Sequence, residues 1–185
     1  MRQAQHGMIY KITYIAMCIS WITLCSWISI PFFINFTLQL FAVFLIAAIS
    51  DWKLSLTAVS LYLLLGSLGV PVFSGFQGGP AVFANVTGGF LVGFWFATLI
   101  IGGAVRLFGS KKSVLIGSML LGVLLCYILG TAWYLVLFHH RGMAISLWSA
   151  LCTCVLPFLL PDGVKIALVF LLCDRLSPVL RRMSL

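Results

Sequence analysis

The sequence predicts an all-α integral membrane protein of six transmembrane helices. Its 185 residues are 63% hydrophobic and only 8% charged, whereas soluble domains carry about 25% charged residues. A soluble protein of this length has no core large enough to bury so much apolar surface. The length allows six spans of about 20 residues and leaves no room for a separate soluble catalytic domain. We therefore expect a single transmembrane domain over residues 1–185.

The N-terminal half is expected to contain helices 1 to 3. The apolar run over residues 8–30 predicts helix 1, which Pro31 ends. Because further spans follow, we interpret it as a retained helix rather than a cleaved signal peptide. Helix 2 is expected over residues 36–50. The polar turn at residues 51–53 precedes helix 3, which is expected to end near residue 68.

The C-terminal half begins with a charge-free, Gly- and Pro-rich segment, residues 69–89. A solvated linker would not contain three phenylalanines, which here are Phe73, Phe76 and Phe83. The segment is therefore predicted to be an ordered lid with glycine hinges. Helix 4 is expected over residues 88–106 and helix 5 over residues 114–138. A short helix within residues 143–156 is compatible with the pattern, and helix 6 is expected from Pro161 to the basic C-terminal end.

The basic residues are interpreted as topology signals rather than as a nucleic-acid surface, although the net charge is +8. With a cytoplasmic N terminus, the inner side collects Arg2, Lys11, Lys53, Arg106, Lys111, Lys112, Arg175, Arg181 and Arg182. The outer side has only Arg141 and Lys165. The positive-inside rule then predicts a multi-pass protein of the cell membrane with both termini in the cytoplasm.

No motif indicates an enzyme, a cofactor or a metal site. The sequence lacks a P-loop, an HExxH motif and a nucleophile elbow. The six cysteines are scattered through apolar runs and are expected to be small packing residues. The three histidines fall at the ends of predicted spans. We therefore expect a protein that is not an enzyme, needs no cofactor and cannot hydrolyse ATP by itself.

Asp162 and Lys165 are the strongest site candidates, because they interrupt the apolar segment PFLLPDGVKIALVFLL. An ionisable side chain within a span costs about 2.5–3.5 kcal/mol on insertion scales, so it usually faces an interior or a cavity. Three residues apart on a helix, the two side chains share one face. They either form only a structural ion pair at the start of helix 6, or project into an outward-opening cavity that binds a polar ligand.

Other candidates each have a structural alternative. Thr87 and Asn85 precede helix 4, whose free N–H groups accept oxygens, although Thr87 could simply be an N-cap. Tyr127 and Trp133 are either interfacial aromatics or walls for an apolar ring. Gln39 is a neutral hydrogen-bonding group at depth.

Helix 1 carries Ala16 and Ser20 four residues apart. Such a small-residue face permits close approach of another helix in lipid. The partner is either another protein or a helix of the same bundle.

Five stretches occur in a specific order: FTLQLFAV, LYLLLGSLGVPVFSGFQGG, TGGFLVGF, YILGTAW and PFLLPDGVK. Over about residues 36–168 the chain thereby resembles the BioY family, the biotin-specific substrate-binding subunits (S components) of energy-coupling-factor (ECF) transporters. The resemblance implies an S-component-like bundle that captures biotin from outside with high affinity. It also implies uptake driven by an energising module of a transmembrane T component and two ATPases.

The resemblance also assigns residues. Asp162 and Lys165 match the D-x-x-K motif of the family, and residues 75–90 match its Gly-rich loop and the start of helix 4. The predicted substrate-binding residues are Asp162, Lys165, Thr87, Asn85, Gly88, Gly89, Phe90, Tyr127, Trp133, Gln39, Phe73 and Gln77. Ala16 and Ser20 would dock the T component. The expected partners are biotin, membrane lipid and the ECF module, with no nucleic acid.

The chemistry of biotin fits these residues. Asp162 can accept a charge-assisted hydrogen bond from a urea N–H. Lys165 can donate either to the urea oxygen or to the ligand carboxylate. Tyr127, Trp133 and the loop phenylalanines can cover the sulfur-containing ring. The alternatives are a stand-alone carrier or channel for biotin or another small vitamin, and a membrane-embedded enzyme, for which the sequence offers only Asp162 and Lys165.

Overall fold

Helices build most of the part of the chain that the structure describes, residues 2–31 and 34–183, with side chains over 7–31 and 34–175. In this computed structural model the helices are α1 (Arg2–Trp27), α2 (Gln39–Ile49), α3 (Trp52–Ser67), α4 (Gly88–Phe108), α5 (Lys112–His140), α6 (Leu147–Cys154) and α7 (Leu156–Met183). Two short strands, β1 (Ser29–Ile30) and β2 (Phe36–Thr37), pair in antiparallel fashion. The predicted all-α class is confirmed, and α6 is the short helix before the predicted helix 6, which is α7.

Four helical segments of the described chain are long and apolar enough to cross a membrane. They are Gly7–Trp27, Gly88–Phe108, Lys112–His140 and Leu147–Arg175, the last of which joins α6 to α7. Helices α2 and α3 are also apolar but have only 11 and 16 residues. At about 1.5 Å per residue, α2 covers about half of a hydrocarbon core of about 30 Å.

Helix α2 lies at the centre of the bundle. Of its 11 residues, the nine that are buried are Gln39, Leu40, Ala42, Val43, Phe44, Leu45, Ile46, Ala47 and Ala48. It contacts α1, α3, α4 and α7. A helix that is apolar on all sides is typical of such a buried position. Gln39, at its first turn, is therefore held inside the protein.

Helices α4 and α5 approach each other closely, because small residues face large ones across their contact. A Cβ atom on Gly93 would lie 2.9 Å from the Cα atom of Cys126, and the ring of Phe90 fills the space beside Gly130. Close backbone approach of this kind is how membrane helices gain packing energy. The contact fixes the start of α4 against the middle of α5, where Tyr127 lies.

Several boundaries differ from the predicted ones. Helix α1 ends at Trp27 rather than near residue 30, and α2 begins at Gln39 rather than near residue 36, because β1 and β2 pair between them. Helix α7 begins at Leu156 rather than Pro161. Pro157 thus lies in its first turn, where a helix needs no N–H donor, and the helix continues through Pro161.

Two contacts at one end of the bundle bring the predicted inner charges together. Lys112, at the start of α5, pairs with Asp174 of α7 at 3.0 Å. The guanidinium of Arg106, near the end of α4, lies 4.8 Å from the ring centre of Trp52 at the start of α3. Four other residues of the sequence predictions lie outside the side chains that the structure describes, namely Arg2, His6, Arg181 and Arg182.

Candidate functional site

A cavity of about 460 Å³ lies among the first turns of α2 and α4, the middle and end of α5, the start of α7 and the loops before α2 and α4. This volume is typical of small-molecule sites. Its polar or charged lining residues are Asn35, Thr37, Gln39, Ser74, Gln77, Asn85, Thr87, Tyr127, Arg141, Asp162 and Lys165. The apolar ones are Ile34, Leu40, Phe73, Val82, Val86, Phe90, Leu91, Phe94, Val123, Cys126, Phe138 and Phe158. Apolar and polar side chains thus contribute about equally to the wall.

Asp162 and Lys165 form a buried ion pair in the wall of this cavity. The Lys165 Nζ atom lies 2.7 Å from Asp162 Oδ1, one turn apart on α7. The two residues are only 6% and 8% exposed. The Tyr127 hydroxyl donates to Asp162 Oδ2 at 2.8 Å. The pair therefore has both predicted properties at once, since its members bind each other and also line a cavity.

The pair keeps hydrogen-bonding capacity for a ligand. Each carboxylate oxygen of Asp162 uses one protein donor and has a second lone pair, and the Lys165 ammonium has three donors. Separating such a pair from water is costly unless its remaining donors and acceptors are also satisfied. A ligand group that offers both a donor and an acceptor would complete these bonds.

Gln39 is held at the base of the lid by a chain of buried hydrogen bonds. Its side-chain Nε2 donates to the Tyr62 hydroxyl at 3.0 Å, and Tyr62 donates to the Val72 carbonyl at 2.9 Å. The Ser26 hydroxyl donates to the same carbonyl at 2.6 Å. These bonds join α1, α2 and α3 to the start of the lid. They fix the position of the Gln39 side chain in the cavity wall.

The lid, residues 69–89, is ordered by anchors at several points. Phe73 packs beside Gly66 of α3, where even a Cβ atom would overlap its ring. The Trp27 indole N–H donates to the Pro71 carbonyl at 3.0 Å, and its ring lies 4.8 Å from that of Phe76. Gly75 and Gly79 have φ angles of 70° and 96°, which favour glycine. The predicted hinge glycines therefore serve as fixed turns.

Asn85 and Thr87 both line the cavity at the start of α4. The Asn85 carbonyl accepts from the Gly88 N–H at 3.0 Å, and the Asn85 side-chain Oδ1 accepts from the Val86 N–H at 2.8 Å. Thr87 occupies the N-cap position, but its side chain makes no capping hydrogen bond. The capping alternative therefore does not account for its hydroxyl.

Three predicted binding residues, Gly88, Gly89 and Trp133, are not among the lining residues. The Trp133 indole N–H donates to the Asn85 carbonyl at 3.0 Å. A Cβ atom on Gly89 would lie 2.6 Å from the Leu129 carbonyl oxygen, and one on Gly88 would overlap the Phe83 carbonyl. In the structure these residues hold the lid and α4 against α5, and their role in binding stays a prediction. The other nine, Asp162, Lys165, Thr87, Asn85, Phe90, Tyr127, Gln39, Phe73 and Gln77, all line the cavity.

The cavity wall also contains four residues that the sequence did not predict as binding residues, namely Asn35, Thr37, Phe158 and Arg141. Asn35 precedes β2 and Thr37 is its last residue, and the Asn35 amide donates to the Ser74 hydroxyl of the lid at 3.1 Å. Phe158 stacks on Phe36 with ring centres 4.5 Å apart. The only visible signal for the first two was the polar character of the segment INFTLQ. Arg141 was interpreted solely as a topology signal.

Within the described residues, no three His, Cys, Asp or Glu side chains lie together as a metal site would require. In the same part of the chain the six cysteines are free, and Cys18, Cys25, Cys126, Cys154 and Cys173 are buried. The expected packing role of these five cysteines agrees with their positions.

The predicted small-residue face of α1 lies on the outside of the bundle. Ala16 and Ser20 are both exposed, and the Ser20 hydroxyl donates to the Ala16 carbonyl at 2.9 Å. Met17 beside them is 62% exposed. The alternative in which this face packs inside the bundle is therefore wrong.

Comparisons with known proteins agree with this architecture. The chain is 35% identical over 144 residues to a probable biotin transporter BioY of Pyrococcus horikoshii, covering 76% of this chain and 79% of the relative. It is 36% identical over 156 residues to a biotin transporter BioY of Thermotoga maritima, with 82% and 86% covered. A crystal structure of the S-component for biotin from an ECF-type ABC transporter superposes with a TM-score of 0.83 and 23% identity, covering 94% of this chain and 93% of that one.

The fold is therefore that of an S component. The profile of the BioY family matches residues 1–182, which is nearly the whole chain. The match extends from α1, which carries the exposed small-residue face, to α7, which carries the buried ion pair. The chain belongs to the BioY family.

Proposed function

We propose that this protein is a high-affinity biotin-binding membrane subunit that mediates biotin uptake together with an ECF energising module. The observation that carries the proposal is the Asp162–Lys165–Tyr127 cluster, buried in the wall of a cavity of about 460 Å³. The relatives at 35% and 36% identity are named as biotin transporters. Because these relatives are named as transporters, we infer that the protein is not an enzyme and that biotin is its transported ligand.

The cluster matches the functional groups of a cyclic urea. The urea N–H groups can donate to the remaining lone pairs of Asp162, and the urea oxygen can accept from an ammonium. The thioether ring then contacts aromatic walls such as Phe90, Tyr127 and Phe158, which line the same cavity. Sulfur and apolar ring atoms interact favourably with such surfaces.

The positions of the charges support one orientation in the membrane. The Lys112–Asp174 and Arg106–Trp52 contacts place the predicted inner residues of α3, α4, α5 and α7 at one end of the bundle. Arg141 follows the opposite end of α5. The positive-inside rule then favours cytoplasmic termini and a cavity near the outer surface. We infer a single multi-pass domain of the cell membrane that receives biotin from outside.

The exposed face of α1 supports docking of a T component. Ala16 and Ser20 have small side chains and the face has no partner among the described residues of the bundle. In lipid, close packing against such a face supplies the association energy that apolar burial supplies in water. We infer that the T component, which carries the ATPase pair, packs here.

The proposal is tested by equilibrium binding of radiolabelled biotin to the purified protein in detergent. We expect stoichiometric binding with nanomolar or tighter affinity, because the buried groups are fixed before the ligand arrives. Binding should be independent of ATP and displaced by unlabelled biotin but not by riboflavin or thiamine. Absence of saturable biotin binding by the folded protein, or displacement of the bound label by riboflavin or thiamine as readily as by biotin, would contradict the proposed function.

A further inference from the structure

We propose that Arg141 binds the carboxylate at the tail of the ligand, while the Asp162–Lys165 pair binds the uncharged ring at its other end. The inference rests on the proposed function, because it assigns the two ends of biotin to two regions of one cavity. It identifies Arg141 as a residue that determines specificity for the free acid. It also assigns Lys165 to the urea oxygen.

The charge of the cavity supports this assignment. Its charged lining residues are Asp162, Lys165 and Arg141. The first two neutralise each other at 2.7 Å. Within the side chains that the structure describes, no carboxylate lies at ion-pair distance from Arg141. The cavity therefore keeps one uncompensated positive charge, which complements a ligand with a single negative charge.

The backbone at the end of α5 fixes the position of Arg141. Arg141 is the C-cap residue, and its N–H donates to the Leu137 carbonyl at 3.3 Å and to the Phe138 carbonyl at 3.1 Å. Gly142 then reverses the chain with a φ of 74°, and the Met143 N–H closes the turn on the Phe138 carbonyl at 3.0 Å. These bonds form a Schellman-type turn. The backbone from which the Arg141 side chain extends is thus fixed beside the cavity.

The Arg141 side chain lies along the cavity wall. Its guanidinium carbon is 5.7 Å from the ring centre of Phe138, which is another lining residue. Side chains on a helix lean toward its N terminus, so the guanidinium is directed back over the preceding turn. Arg141 is exposed, in contrast to the buried ion pair. It therefore marks the open end of the cavity.

The two charged regions are far enough apart to bind two ends of one molecule. Tyr127, which contacts Asp162, and Phe138, which contacts Arg141, both line the cavity from α5. They are separated by about 11 helical residues, or about 16 Å along the helix axis. The distance that a ligand has to span is shorter than this backbone separation, because the Arg141 side chain is directed back along α5 toward Tyr127.

Physical chemistry selects the orientation of the ligand. A carboxylate placed beside the buried pair would lose its hydration and lie next to the negative charge of Asp162, which is unfavourable. An uncharged urea offers donors to Asp162 and an acceptor to Lys165 without adding charge. At the open end the carboxylate stays partly hydrated, and the planar fork of arginine can bind both of its oxygens.

A purely structural role for Arg141 is the competing explanation, because a cation stabilises a helix C terminus. The test compares biotin with its uncharged primary amide in calorimetric titrations of the wild type and of Arg141→Gln. We expect the wild type to prefer the acid by at least about tenfold, the worth of a charge-assisted hydrogen bond. Arg141→Gln should lose this preference and bind the amide within about twofold of the wild type. Lys111→Gln, at the other end of α5, is the matched charge control.

The outcomes separate this inference from the proposed function. Equal affinities of the wild type for acid and amide would overturn the inference while leaving biotin binding intact. A preserved acid preference in Arg141→Gln, or equal losses for both ligands, would also overturn it. If Arg141→Gln does not fold, Arg141→Lys decides, because a point charge should reduce the preference for the acid without weakening amide binding. If the wild type binds neither ligand, the proposed function fails and the inference fails with it.

Discussion

Asp162→Asn and Lys165→Ala should each lower biotin affinity by about 10- to 100-fold, because each removes a charged hydrogen-bonding partner of the ligand. Each should also lower the free energy of unfolding in detergent by about 3–5 kcal/mol, since it leaves the other charge buried and unpaired. In the native protein the two side chains are only 8% and 10% exposed. Titration calorimetry and thermal unfolding measure the two effects separately.

Two further variants distinguish binding from stability. Asp162→Asn combined with Lys165→Met removes both charges, so it should be more stable than either single variant and still bind biotin poorly. Asp174→Asn disrupts the exposed Lys112–Asp174 pair and should cost at most about 1 kcal/mol, with biotin binding unchanged. Wild-type affinity in the folded single variants would show that the buried pair is only structural.

Ala16→Trp combined with Ser20→Leu should abolish uptake in cells that contain the energising module while leaving biotin binding intact. Both residues are exposed on α1 and lie away from the cavity-lining residues. Bulky side chains there should prevent the close helix approach that a T component needs. The measurements are radiolabelled biotin uptake by cells and calorimetric binding to the purified variant.

Leu121→Trp is the matched control, because Leu121 is 57% exposed on α5 and does not line the cavity. Uptake should be normal in this variant. Normal uptake by the folded α1 double variant would mean that no partner docks on this face. That result would favour a stand-alone carrier.

The sequence identifies most readily those polar residues that interrupt an apolar segment. Asp162, Lys165 and Gln39 belong to this class, and all three line the cavity. Because inserting a polar side chain into a membrane costs free energy, such residues can be recognised from the sequence alone. The fold class followed from the same property, because long apolar runs have few alternatives to spanning helices.

The features that the sequence did not predict depend on contacts between distant segments. The pairing of Ser29–Ile30 with Phe36–Thr37 is too short to produce an alternating pattern. Trp133 was predicted as a wall for an apolar ring, and in the structure its indole N–H donates to the Asn85 carbonyl. Arg141 carries the same charge whether it faces water or a cavity, so charge counting alone could not place it in the site.

The most direct test of the account is an experimental structure of the protein with bound biotin. We expect the urea nitrogens of biotin within hydrogen-bond distance of Asp162, the urea oxygen within that distance of Lys165, and the thioether ring between the aromatic walls. Biotin bound outside this cavity, or bound with its carboxylate on Lys165, would contradict the account.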